Sequence, residues 1–130
     1  MKTIIYISML ISFSIGYAQQ NADTSECKPC REHPQINGPK FVIRGIMRIW
    51  NGNPSIRISK VGTRRILGVS EGNYYKEGYC NIPKLLLQKL NLKNKIIADF
   101  VLYPFTDDKS GVMRYVCVDT AYNIKIIPDE

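Results

Sequence analysis

The chain has 130 residues, with 18 lysines and arginines against 11 aspartates and glutamates, which gives a formal net charge of +7. This length allows one small domain with a modest core. The charge favours anionic partners and specifies no fold. The single histidine, His33, excludes a histidine-rich metal site and a serine–histidine–aspartate triad inside the folded body.

The first 18 residues have the features of a secretory signal peptide. The basic residue Lys2 precedes an apolar run at 4–15, and Gly16 and Ala18 have the small-residue spacing of a cleavage site. The run is shorter than a membrane span requires. We therefore predict cleavage after Ala18, no membrane span in the mature chain, and a periplasmic or secreted product. No oligomeric state is predicted.

Residues 19–40 are predicted to form a polar tail. Pro29, Pro34, Pro39 and Gly38 prevent regular structure there, and His33 is expected to be solvated. Residues 41–130 are predicted to form one β-rich domain.

The four cysteines form an even set in an exported chain, which indicates two disulfides with three possible pairings. We favour Cys27 with Cys30, because both lie in the tail, and Cys80 with Cys117, because both lie in the body. The stretch CKPC also resembles a redox dithiol, but no helix follows to activate its first thiol.

The domain begins with a predicted hairpin. In FVIRGIMRIW, at 41–50, apolar residues at odd positions indicate a strand with its odd face inward. Asn51-Gly52 is a strong hairpin signal, and a second strand follows at 55–61. The turn contains either two residues or the four residues Asn51 to Pro54. Either length places Arg44, Arg48 and Arg57 on one outward face with Ile46 and Trp50.

The remaining elements are a strand at 64–69, a short helix after an Asn81 cap, and strands at 95–105 and 113–127, the last with a bend at Asn123. This order matches the five-stranded Greek-key barrel of the OB-fold, and Gly45 suits the bend that closure requires. A small β-sandwich or an open sheet covered by the helix is the alternative.

The outward arginines form the predicted binding surface. Arginine forks match phosphate, sulfate or carboxylate groups, and an exposed tryptophan offers a stacking platform. With a four-residue turn Arg48 lies opposite Arg57, a repulsive pair unless an anion lies between them. The alternative is an ordinary solvated strand face. The candidate residues, with the loops 51–54 and 106–111, are Arg44, Arg48, Trp50, Arg57, Arg64 and Arg65.

The function predicted from these residues is non-enzymatic binding of an anionic polymer, such as an acidic glycan, by an exported module. No cofactor or metal is predicted, and Asp107 and Asp108 are interpreted as turn formers. One alternative is an interaction protein that docks on an envelope protein; its anchors would be Ile46, Trp50, Tyr74, Tyr75 and Tyr79. The other is a thiol–disulfide oxidoreductase using Cys27 and Cys30.

Two stretches carry a combination of motifs: RGIMRIWNGNPSIRISKVGTRRILGV at 44–69 and ADFVLYPFTDDKSGVMRYVCV at 98–118. They resemble a set of small secreted bacterial proteins that share a G-x4-aromatic-N-G-x-P hairpin, a G-T-x-R-x-L-G strand and a D-F…P-F-T…G-x-M…V-C tail. That group has no assigned activity, so the resemblance implies a shared fold and no chemistry. The chain departs from it at Ile46, where arginine is usual, at Ser59, where an aromatic residue is usual, and near Tyr103, where cysteine is common. The partner of Cys117 therefore does not follow from the resemblance.

Overall fold

The computed structural model describes residues 27–69 and 76–129 of the chain. The predicted signal peptide, the tail residues 19–26, Tyr74 and Tyr75 lie outside the described residues. The described elements are a short 3-10 turn (Cys30–Glu32), five strands and one α-helix: β1 (Phe41–Ile49), β2 (Ile56–Lys60), β3 (Ile66–Val69), α1 (Lys84–Lys89), β4 (Asn94–Pro104) and β5 (Arg114–Pro128).

The five strands are hydrogen-bonded in a closed ring in the order β1-β2-β3-β5-β4. β3 and β5 run parallel, whereas every other neighbouring pair in the ring is antiparallel. The predicted mostly β, five-stranded OB-like arrangement with one short helix is confirmed. The third strand is shorter than predicted, because it begins at Ile66 after a turn that includes Arg64.

Inward side chains alternate along the strands and fill the ring. Met47, Ile58, Ile96 and Phe100 are completely buried in one apolar cluster. Gly45 is the small inward position of β1, and a Cβ atom there would collide with Ile58 and come within 3.3 Å of Phe100. The glycine predicted from the barrel's need to bend is therefore also required by the packing of the core.

The helix begins later than the sequence indicates. Its first residue is Lys84, and Pro83 rather than Asn81 occupies the N-cap position without a side-chain hydrogen bond. The Asn81 backbone carbonyl instead accepts a hydrogen bond of 2.8 Å from Val118 N of β5. The predicted Asn81 cap is wrong, because the backbone of Asn81 is hydrogen-bonded to β5 and the helix begins only after Pro83. Leu86 anchors the helix to the barrel core.

The predicted disulfide pairing is wrong. The structure joins Cys27 to Cys80 and Cys30 to Cys117, with Cα–Cα distances of 4.9 and 5.8 Å. Proximity in sequence suggested a local Cys27–Cys30 bridge, but the chain places Cys30 in a 3-10 turn (Cys30–Glu32) whose buried side is against β5. Both cysteines of CKPC therefore connect the N-terminal segment to the body.

Residues 27–40 pack on the barrel, in contrast to the solvated tail expected for this part of the chain. Lys28 N donates to Gly78 O at 2.6 Å, and Asn37 N donates to Pro104 O at 2.8 Å. A second small core of Cys30, Phe105 and Cys117 lies beneath the segment. We call residues 27–40 the N-terminal strap.

His33 is the residue for which the solvated-tail prediction fails most clearly. It is only 3% exposed, and its ring lies 4.8 Å from that of Phe105 and 5.0 Å from that of Tyr79, centroid to centroid. Its Nδ1 accepts a hydrogen bond of 3.1 Å from Gln35 N. The histidine is a packing residue of the strap, because aromatic neighbours from two loops enclose it.

Candidate functional site

The hairpin of β1 and β2 has the four-residue turn. Trp50 N donates to Ser55 O across it, and the register pairs Arg48 directly with Arg57. Arg44 lies four residues before Arg48 on the same strand and therefore on the same outward face. The shared outward face of these three arginines is confirmed.

Arg44 and Arg48 are engaged with carboxylates of the same chain. Arg44 Nη1 lies 3.6 Å from Asp99 Oδ1 and donates to Asn123 O at 2.8 Å. Arg48 Nε lies 3.3 Å from Asp129 Oδ2, although the orientation does not make a hydrogen bond. The contact is therefore Coulombic. These two arginines are partly neutralised, which weakens their case as ligand-binding groups.

Arg57 lies over the Trp50 ring, so the tryptophan does not present the exposed stacking surface that the sequence predicted. The Arg57 guanidinium lies 5.6 Å from the centre of the Trp50 ring, and Arg57 Nε donates to Pro54 O at 2.9 Å. Arg57 pairs with Gly68 of β3. A Cβ at Gly68 would come within 2.8 Å of Pro54 Cγ and 3.0 Å of Met113 Sδ. The turn and the start of β5 thus cover this part of the sheet.

Arg64 and Arg65 lie apart from the other candidates, in and after the turn between β2 and β3. Arg65 is ion-paired with Asp108 and donates to Lys109 O at 3.2 Å. Arg64 is exposed and forms no ion pair with any residue in the described ranges. The six predicted residues therefore divide into a β1–β2 group and a group beside the 105–113 loop.

The second group borders two adjoining cavities. One, of about 260 Å³, lies at the end of the barrel where β1 and β5 begin, and we call it the barrel mouth; it is lined by Phe41, Ile43, Lys60, Arg65, Leu67, Asp108 and Arg114. The other, of about 370 Å³, we call the mouth groove; it is lined by Arg64, Arg65, Ile66, Gly111, Val112 and Met113. Arg65 lines both.

The barrel mouth includes two cations that the sequence analysis missed. Lys60 ends β2 and is exposed, whereas Arg114 begins β5 and is half-buried. Arg114 Nε donates to Thr106 O at 3.1 Å, and its guanidinium lies 4.7 Å from the centre of the Phe41 ring. No local pattern identifies this pair, because the two residues are far apart in sequence and line one cavity only because β2 and β5 both pair with β3.

The anchors of the alternative docking surface are less available than expected. Trp50 is half-buried beneath Arg57, and Tyr79 packs against His33. Ile46 remains partly exposed on β1.

The structure gives Asp107 a partner in the strap, since it accepts a hydrogen bond of 2.8 Å from Asn37 Nδ2. Among the described residues, no group of three or more histidine, cysteine, aspartate or glutamate side chains could hold a metal ion.

Comparisons with protein-family models, with curated proteins and with solved structures gave no match. No helix within residues 27–69 and 76–129 has the length and apolarity needed to cross a membrane.

Proposed function

We propose that the protein is an exported, non-enzymatic module that binds an anionic polymer, such as an acidic glycan, at the barrel mouth and mouth groove. The observation that carries this proposal is the charge of these cavities. Four cationic side chains border them, whereas Asp108 is the only carboxylate among the lining residues; the cations are Lys60, Arg64, Arg65 and Arg114. Clustered cations in a concave surface raise the local concentration of anions.

The proposed binding surface is centred on the barrel mouth and mouth groove, not on the β1–β2 hairpin where the sequence predicted it. Arg44 and Arg48 are balanced by Asp99 and Asp129, and Arg57 lines neither of the two cavities. Arg64 and Lys60 have exposed side chains beside a cavity and no ion pair with a described residue. An anion that binds at Lys60 and Arg64 therefore competes with no carboxylate of the described chain, unlike an anion at Arg44 or Arg48.

Export fits the cysteine usage of the described residues. All four cysteines are in disulfides, and disulfides are typical of proteins that fold in oxidising compartments. Together with the signal-peptide pattern, this supports a periplasmic or secreted location for the mature chain.

A salt-graded binding panel tests the proposal. The oxidised mature protein is applied to immobilised anionic polymers and neutral glycans at increasing ionic strength. We expect binding to anionic polymers only, with affinity falling steeply as salt rises, because counterions are released on binding. Binding that ignores salt, or that prefers neutral glycans, would contradict the proposal.

Matched double variants locate the site. We expect Arg64→Gln plus Arg65→Gln to weaken polymer binding and to reduce the salt slope by about one for each lost anion contact. Arg31→Gln plus Lys125→Gln removes the same charge from exposed positions that line neither cavity, and we expect a much smaller effect. Arg44→Gln plus Arg57→Gln should resemble this control; a larger loss there would return the site to the hairpin.

A further inference from the structure

We propose that the barrel mouth binds an amphiphilic anion, in which a small apolar group is attached directly to the charged group. This inference rests on the anion-binding function proposed above and adds the chemistry that adjoins the charge. The ligand would be a carboxylate, a sulfate ester or a phosphate ester with a single alkyl chain, such as an octyl group, or a single aryl ring.

The floor of the mouth is apolar. Ile43 and Leu67 line the cavity and belong to the barrel core, where they are 6% and 3% exposed. Phe41 lines it as well and packs against the same core. Phe41 is only half-buried, so an apolar group that enters the cavity removes water mainly from this ring, which is favourable by roughly 25 cal/mol for each Å² removed from water; Ile43 and Leu67 form the closed floor that the group contacts.

The rim of the mouth offers an oriented cation. Arg114 is fixed by its hydrogen bond to Thr106 O and by the Phe41 ring beneath it. A guanidinium that is held in place loses little conformational freedom when it binds a planar or tetrahedral oxyanion. Arg65 contributes charge, but its fork is already occupied by Asp108 and Lys109 O. Arg114 is therefore the group that we assign to the anion, and Lys60, which lines the same cavity, adds charge.

The size of the mouth limits the ligand. Its volume of about 260 Å³ lies just below the roughly 300–1,000 Å³ that ligand pockets usually span. Such a cavity accepts a small molecule or the end group of a polymer, whereas the middle of a polymer would have to lie along the mouth groove. A free small molecule and a polymer end would present the same chemistry to the mouth. Only the polymer end would compete with octyl sulfate when the polymer is bound.

Titrations with three probes test the inference on the oxidised mature protein. Octyl sulfate carries both features, inorganic sulfate carries only the charge, and octyl glucoside carries only the chain. Two-dimensional NMR follows the backbone amides and the isoleucine and leucine methyl groups. We expect octyl sulfate, below its micellar concentration, to bind at least about tenfold more tightly than either other probe, which corresponds to about 1.4 kcal/mol. The methyl shifts should centre on Ile43 and Leu67.

Two variants assign the rim. We expect Arg114→Gln and, to a smaller extent, Lys60→Gln to weaken octyl sulfate binding several-fold, whereas the exposed control Arg31→Gln should not. Lys60 is exposed, so its variant tests the rim even if Arg114→Gln impairs folding. Equal binding of all variants overturns the assignment.

The outcomes separate this inference from the proposed function. If inorganic sulfate or octyl glucoside binds as tightly as octyl sulfate, or if shifts appear away from the mouth, the inference is overturned while polymer binding stands. If octyl sulfate binds but the polymer panel is negative, the proposed polymer function fails alone. Displacement of a bound polymer by octyl sulfate identifies a polymer end as the ligand, and simultaneous binding identifies a free small molecule.

Discussion

Arg48 and Arg57 lie directly opposite each other in the β1–β2 ladder. Opposed like charges destabilise a sheet, but a carboxylate of the same chain lies close to Arg48. Asp129 Oδ2 is 3.3 Å from Arg48 Nε, and Asp129 Oδ1 is 4.0 Å from Lys95 Nζ. The repulsion that suggested an external anion at the hairpin is therefore partly relieved within the chain. This favours the barrel mouth, as proposed above, over the hairpin as the ligand site.

Removal of this internal counter-charge should destabilise the protein. We expect Asp129→Asn to lower the free energy of unfolding by about 0.5–1 kcal/mol at low salt, as for other partly exposed ion pairs, and by less at high salt. Denaturant unfolding at two ionic strengths measures the change. Asp119→Asn is the control, because no ion pair joins Asp119 to the described residues. Equal effects of the two variants would show that Asp129 does not neutralise Arg48.

The structure predicts that the Cys30–Cys117 bridge contributes more to the free energy of unfolding than the Cys27–Cys80 bridge. Non-reducing peptide mapping should recover Cys27 linked to Cys80 and Cys30 linked to Cys117. Replacing both cysteines of the Cys30–Cys117 bridge by serine should cost about 2–5 kcal/mol, because the bridge closes a long loop and both residues are almost fully buried. The equivalent change at Cys27 and Cys80 should cost less, since the loop it closes is shorter, 53 against 87 residues, and these sites are more exposed. A peptide linking Cys27 to Cys30 would contradict the structure.

Burial of His33 predicts that the strap contributes to stability. We expect His33→Ala to lower the free energy of unfolding by about 2 kcal/mol, because it removes the ring packed between Tyr79 and Phe105 and leaves a cavity. Gln35→Ala is the control, since Gln35 is exposed in the same segment and such changes stay within about 0.5 kcal/mol. Thermal unfolding distinguishes the two. Identical melting temperatures for His33→Ala and the parent protein would mean that the strap is solvated.

The two disulfides join the strap to the barrel. Beneath the strap lies the second small core, where Cys30, Phe105 and Cys117 pack with Tyr103 and Tyr115. A small core gives limited stability by itself, and disulfides commonly add to it in small domains that fold in oxidising compartments.

Local patterns in the sequence determined the hairpin and its outward arginines. Alternation with period two and the Asn51-Gly52 signal are properties of neighbouring residues, and side-chain parity in a strand follows from backbone geometry. The order of the elements along the chain, the glycine at position 45 and the bend at Asn123, where φ is 52° within β5, follow from similarly local signals.

Contacts between distant segments were decided only by the tertiary structure. They are the cysteine pairs, the burial of His33, the ion pair of Arg48 with Asp129, and the shared cavity of Lys60 and Arg114. Separation in sequence carries no information on these distances. They follow from the packing of the strap on the barrel and from the pairing of β1 with β4 and of β3 with β5. The location of the candidate site therefore depends on how all five strands pair, whereas the sequence by itself determined only which residues were available and which way they face along each strand.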